Sequence, residues 1–128
     1  MEPIPERTEW IAKRLVDAAY KVHKALGPGL LESVYESCLC HELTKRRIPF
    51  RRQLDQPVVY DGIRLDAGLR LDLLVDECVI VELKAVEKHN ALFEAQLLTY
   101  LKLTGHRLGL LINFNVELIK DGINRMVH

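Results

Sequence analysis

Three side chains that could act together, Asp72, Glu82 and Lys84, fall on two neighbouring apolar runs of the sequence. The runs, Leu69 to Val75 and Cys78 to Lys84, predict antiparallel strands joined by a tight turn. Glu82 and Lys84 are two residues apart and therefore share one face of their strand, and the turn brings Asp72 beside Glu82. Charges among Leu, Val and Ile are costly to bury unless something binds them. Two acids and a lysine at this place therefore indicate a binding or catalytic site, although a simple pair of opposite charges on a strand face is the alternative.

The predicted elements around this pair of strands form an α/β fold with a mixed sheet. Apolar residues spaced by three and four predict helices, and alternating or continuous apolar runs predict strands. In order these are a helix from Thr8 to Leu26, a helix from Leu30 to Lys45, short strands at Phe50–Leu54, Val58–Tyr60 and Ile63–Leu65, the central pair, a helix from Asn90 to Thr104, a strand at Leu108–Asn113 and a last strand near Met126. We expect residues 1–128 to form a single domain, with the sheet flanked by helices.

Further candidate residues lie on the predicted helices. Glu32 is in the first turn of the second helix, where a carboxylate is favoured by the helix dipole whether or not it binds a metal ion. Gln96 and Tyr100 are four residues apart on the third helix and so share one face that could reach the same end of the sheet. Ordinary helix surface is the alternative for both.

One segment of the chain is strongly basic, although the formal net charge of the 128 residues is zero. Its arginines, Arg46, Arg47, Arg51 and Arg52, are candidates for binding the phosphates of a nucleic acid, and solvated surface is the equal alternative. Because the whole chain is neutral, nucleic-acid binding must come from such a local patch and not from the overall field.

The remaining composition limits the setting of the protein. The cysteines Cys38, Cys40 and Cys78 form no Cys-x-x-Cys pair, which indicates a reducing compartment, and a zinc site from Cys38, Cys40 and His41 is disfavoured because a helix spreads them apart. No apolar run approaches the ~20 residues that cross a bilayer, and no signal-peptide core is present. We therefore expect a cytoplasmic protein without a membrane partner, acting alone or as a homodimer.

Several motifs in order resemble a known family. Gly29-Leu-Leu-Glu32-Ser-Val-Tyr35 matches the signature of the GxxExxY protein family, and Gly27-Pro28 before it and Leu108 to Asn115 are similar to the same family. The resemblance extends from about Ile11 to Val127. That family is grouped with the PD-(D/E)XK nuclease superfamily, whose core is a helix, three antiparallel strands, a helix and a strand.

The resemblance implies roles for the candidate residues. The helix acid of the superfamily corresponds to Glu32, the first aspartate of the motif to Asp72, the E-x-K to Glu82 and Lys84, and a Q-x-x-x-Y element to Gln96 and Tyr100. Leucine, not proline, precedes the aspartate. Asp72 and Glu82, with Glu32, would bind Mg²⁺ or Mn²⁺, and Lys84 would act on the scissile phosphate. The implied function is metal-dependent cleavage of DNA or RNA, and the alternative is a non-catalytic module that binds nucleic acid or protein.

Overall fold

The protein has three α-helices and a mixed sheet of five strands in a computed structural model that describes residues 2–128. The helices are α1 (Glu6–Leu26), α2 (Glu32–Lys45) and α3 (Ala91–Thr104), and the strands are β1 (Phe50–Tyr60), β2 (Ile63–Val75), β3 (Val79–Lys84), β4 (Leu108–Asn113) and β5 (Ile123–Val127). The strands lie in the order in which they follow in the chain, with β3 and β4 parallel and every other neighbouring pair antiparallel. The predicted α/β fold with a mixed sheet and flanking helices is confirmed.

Helices cover both faces of the sheet, which explains why its central strands are apolar on both sides. Side chains of α1 and α2 such as Leu15 and Leu39 pack with Val81 in one core cluster. Leu97 and Leu101 of α3 pack with Ile80 and its neighbours in a second cluster on the opposite face. Strands buried on both faces read as continuous apolar runs, as β3 and β4 do.

Two of the three helices begin at residues other than those the sequence predicts, since α1 begins earlier and α2 begins later. The first helix starts at Glu6 after Pro5, so Thr8 is a buried residue of its first turns and not its cap. The second helix starts at Glu32 because Leu30 and the residues before it form a structured loop. For α3, the predicted cap is confirmed, since the Asn90 side chain accepts a hydrogen bond from the main-chain N–H of Leu92.

The short strands predicted between residues 50 and 75 are two long strands. A register shift between Gln56 and Val58 accommodates Pro57, which has no N–H to donate. β2 continues through Gly68, and the Val58 side chain lies directly over this residue. A side chain has no room there, because a Cβ at residue 68 would stand 2.1 Å from a Val58 methyl carbon. The segment that sequence patterns divide into pieces is therefore one continuous hairpin.

The outer half of this hairpin extends beyond the rest of the sheet. Pairing of β2 with β3 ends at Leu73, opposite Val81, while pairing with β1 continues to the turn after Tyr60. Apolar side chains near the turn, including Tyr60 and Ile63, are mostly exposed. The two strands separate at residue 72, which is the aspartate of the candidate site.

Among residues 2–128, no helix combines the length and the apolar character that a bilayer crossing requires.

Candidate active site

Asp72 lies where β2 and β3 separate, and its carboxylate bridges the gap. Its Oδ2 accepts a hydrogen bond of 2.9 Å from the main-chain N–H of Leu83. The same side chain is close enough to Glu82 to raise the pKa of its carboxyl group. The structure therefore brings together the two acids that the hairpin pattern predicts to be neighbours.

The carboxyl group of Glu82 is buried, and one of its oxygens has no hydrogen-bond partner in the described part of the chain. The residue is 6% exposed, and its Oε1 atom has no hydrogen-bond partner within residues 2–128. Burial is the largest cause that raises the pKa of Glu82, to about 9, followed by the hydrogen bond with Asp72 and the negative charge of Asp72, while Lys84 and the Asp72 main chain act in the opposite direction. Glu82 therefore carries a proton at neutral pH in the metal-free protein.

Lys84 shares the strand face of Glu82 and points toward α3. Its Nζ atom lies 4.5 Å from the centroid of the Phe93 ring, in a cation–π contact. The main-chain carbonyl of Lys84 accepts a hydrogen bond of 2.9 Å from the N–H of Phe114. These two contacts fix the backbone and the side chain of the lysine in the partly buried end of β3.

Glu32 is the first residue of α2 and lies within electrostatic reach of the acid pair. Desolvation is the largest cause that raises its pKa, the charge of Asp72 adds to the effect, and Lys84 opposes it. Within residues 2–128, however, no group of three or more His, Cys, Asp or Glu side chains is close enough together to hold a metal ion. The structure thus pairs Asp72 with Glu82 and leaves Glu32, which is exposed, outside a coordinating cluster.

Tyr35 determines the path of the loop that leads to Glu32. Its hydroxyl group donates a hydrogen bond of 2.6 Å to the carbonyl of Gly27 and accepts one of 3.1 Å from the N–H of Leu30. Its ring stacks on Phe114 with centroids 4.6 Å apart. The sequence places Tyr35 in the family signature, three residues after Glu32, but did not predict these contacts.

Of the two α3 candidates, the structure brings Tyr100 toward the acids. Burial is the largest cause that raises the pKa of Tyr100, and the charges of Glu82 and Asp72 raise it further, so its hydroxyl group is within electrostatic range of both acids. Gln96 is exposed and its side chain forms no hydrogen bond within residues 2–128. A role for Gln96 therefore requires a ligand.

The basic segment is largely engaged in ion pairs. Nitrogen–oxygen distances are 3.6 Å for Arg46 with Glu42, 2.6 Å for Arg51 with Glu77 and 2.9 Å for Arg52 with Glu36. Arg47 is exposed and forms no ion pair within the part of the chain that the structure describes. Contact of the four arginines with phosphate stays a prediction, and Arg47 is the member whose charge is not already balanced by a nearby carboxylate.

A further residue, Asn113, shapes the site and was not predicted. Its side-chain oxygen accepts hydrogen bonds of 3.1 Å from the N–H groups of Val86 and Asn115, and its amide donates one of 3.0 Å to the carbonyl of Val86. Asn113 is also the register partner of Lys84 across the parallel pair β3–β4. The chain that follows Lys84 is therefore tied to the end of β4.

The motif residues all lie within the region that matches a known family. A family model described as the PD-(D/E)XK nuclease superfamily matches residues 9–126. Comparisons with curated proteins and with solved structures yield no match. The matched region contains nearly the whole fold, including every candidate side chain. The chain therefore belongs to the PD-(D/E)XK nuclease superfamily, a membership that suggests nuclease activity.

Proposed function

We propose that this protein is a metal-dependent nuclease that hydrolyses phosphodiester bonds in nucleic acid, and that within its superfamily it is a GxxExxY protein. The observation that carries the proposal is the buried, unpartnered Oε1 atom of Glu82, beside the carboxylate of Asp72 and on the same strand face as Lys84. A pair of acids arranged in this way is unfavourable in the absence of a cation. Superfamily membership supports the same reaction class.

The residues of the site fit a hard divalent ion, Mg²⁺ or Mn²⁺. Asp72 and Glu82 would hold the ion, and Glu32, which lies outside this pair, would contribute through water. Carboxylate oxygens are the ligands that such ions prefer, and Glu82, whose Oε1 atom has no partner within residues 2–128, becomes available as a ligand once it ionises. When bound, the ion supplies positive charge near the reacting phosphate and lowers the pKa of a coordinated water.

The protein side chains contribute positioning and charge. The hydrogen bond from Leu83 keeps Asp72 in one orientation, and Glu82 gives up its proton when the site is loaded. The ammonium group of Lys84, oriented by the ring of Phe93, neutralises the scissile phosphate or orients the attacking water.

The helix and loop residues act around this centre. The hydroxyl group of Tyr100, which is within electrostatic range of both acids, would hold water or a phosphate oxygen. Gln96 would contact a nucleotide, since its amide is exposed. Phosphate contacts from Arg46, Arg47, Arg51 and Arg52 belong to the same proposal, as do a single domain over residues 1–128, a cytoplasmic location and a homodimeric state.

The proposal is tested by cleavage assays on single- and double-stranded DNA and RNA with Mg²⁺ and with Mn²⁺. We expect metal-dependent cleavage by the wild type and by the control Glu117→Gln, in which an exposed glutamate is changed. Glu82→Gln should be inactive, because a neutral amide cannot replace an ionised ligand. Binding of nucleic acid without cleavage of any of these substrates would instead assign the protein to the non-catalytic alternative.

A further inference from the structure

A cavity of about 360 Å³ adjoins Lys84, between the start of α3, the end of β4 and the chain around residues 119–124. Its volume lies at the lower end of the range for small-molecule sites, which suits a group of the size of one nucleotide. We propose that this cavity binds a nucleobase, with a preference for bases that carry an exocyclic amino group. The position of the base beside the scissile phosphate rests on the proposed function, whereas its binding can be measured independently.

The walls of the cavity are fixed by close contacts. The hydrogen bonds of Asn113 attach Val86 to the end of β4, so the loop after Lys84 cannot close over the cavity without breaking them. Gly122, which also lines the cavity, packs against the end of β4 so closely that a Cβ there would stand 2.1 Å from the carbonyl oxygen of Asn113. The residues that line the cavity are therefore held in place by the packing of the protein.

The lining of the cavity combines apolar and polar side chains. Leu111, Val116 and Phe93 supply apolar surface, against which a flat aromatic base can pack. Glu87 and Asp121 also line the cavity, are exposed and form no ion pair within residues 2–128, so their carboxylates remain available as acceptors. A base is thus provided with both a face to pack on and acceptors at its edge.

The charges favour the base, and not the phosphate, as the group inside. Lys84 is the one lysine or arginine among the lining residues, whereas three carboxylates, those of Glu87, Glu94 and Asp121, share the same cavity. Glu94 is paired with His89, which leaves the other two to repel a phosphate. The phosphate of a bound nucleotide therefore belongs at Lys84, at the border with the acid pair.

Carboxylate acceptors also discriminate among bases. Adenine, cytosine and guanine present amino groups that can donate to Asp121 or Glu87, as acidic side chains accept from cytosine in nucleic-acid complexes. Uracil and thymine instead present one N–H between two carbonyl oxygens, which a carboxylate repels. We therefore expect a preference of roughly tenfold for the bases that carry an amino group.

The test is a titration of the metal-free protein with AMP, CMP, GMP and UMP, followed by NMR chemical shifts, which requires no cleavage. We expect the first three to bind roughly tenfold more tightly than UMP. Asp121→Asn should reduce this preference, whereas the control Asp17→Asn on α1 should retain it. Lys84→Ala should weaken all four to a similar extent, because it removes the contact with the phosphate.

Equal binding of the four nucleotides, no binding, or a preference that persists in both Asp121→Asn and Glu87→Gln would overturn the assignment. These experiments distinguish a failure of the base site from a failure of the proposed nuclease function. Cleavage without any base preference in this titration would refute the base site and leave the nuclease function standing. A base preference in a protein that cleaves no nucleic acid would support the base site and refute the nuclease function.

Discussion

Raising the pH should strengthen the binding of a divalent ion to this protein, because Glu82 must lose a proton before it can act as a ligand. Burial and the neighbouring Asp72 raise the pKa of Glu82 to about 9. Metal binding is therefore coupled to release of a proton over the whole range below that value.

The size of the effect follows from the pKa. At pH 7, two pH units below a pKa of about 9, roughly one molecule in a hundred has Glu82 ionised, which costs about 3 kcal/mol of metal-binding free energy. The affinity for Mn²⁺ should rise about tenfold for each pH unit between 6 and 8 and level off near pH 9.

Isothermal titration with Mn²⁺ at pH 6, 7, 8 and 9 measures this slope. Repeating it at one pH in buffers of different ionisation enthalpy counts the protons released, and we expect about one per ion from Glu82. Glu82→Gln should bind weakly and with much less pH dependence, while Glu117→Gln should behave like the wild type. A wild-type affinity that does not change with pH, or binding by Glu82→Gln as tight as that of the wild type, would falsify the coupling.

The same carboxyl group should make the metal-free protein less stable at high pH. Since its pKa in the folded state lies above the ordinary value of 4.5, the folded protein holds a proton that the unfolded chain has lost, and stability falls as the pH rises from about 4.5 to about 9. The loss is on the order of several kcal/mol. Urea denaturation at pH 5 and pH 8.5 should show it, and Glu82→Gln should remove most of it.

Three further changes probe the surrounding residues. Lys84→Ala should abolish cleavage while the fold remains, and it should increase the rise in melting temperature caused by Mn²⁺, because the ion then becomes the main positive charge beside the two acids and no ammonium group repels it. Full activity would remove the lysine from the mechanism. Arg47→Gln should lower the salt dependence of nucleic-acid binding by about one phosphate contact, whereas Lys24→Gln should not, and equal slopes in filter-binding assays would mark Arg47 as ordinary surface. Tyr35→Phe should lower the free energy of unfolding, measured by chemical denaturation, by about 1–2 kcal/mol, because two hydrogen bonds of the hydroxyl group disappear. The control Tyr20→Phe, at an exposed tyrosine, should leave it almost unchanged.

The centre of the site was predictable because it depends on local rules. The two-residue period of a strand puts Glu82 and Lys84 on one face, and the tight turn fixes Asp72 beside them. Similarly, continuous apolar runs predicted strands that are covered on both faces.

The outer parts of the site depend on contacts between residues distant in sequence, which no local pattern contains. The separation of Glu32 from the acid pair follows from a loop that Tyr35 and Phe114 hold across the fold. In the same way, the sequence does not show that arginines of the basic segment are paired. Arg52, for example, forms an ion pair with Glu36 of α2, which is distant in sequence. Strand lengths were wrong for a related reason, since Pro57 reads as a break although a register shift accommodates it.

The end of β4 has a consequence for how mutations combine. The ring of Phe114 stacks on Tyr35, in the helix that begins at Glu32, and its N–H donates a hydrogen bond to the carbonyl of Lys84. The adjacent Asn113 side chain accepts a hydrogen bond from the N–H of Val86. Two consecutive residues thus support both the helix acid and the strand lysine. Substitutions in the loop before α2 and in the loop after β3 should therefore interact energetically, because both loops are attached to residues 113 and 114. A double-mutant cycle would measure this coupling.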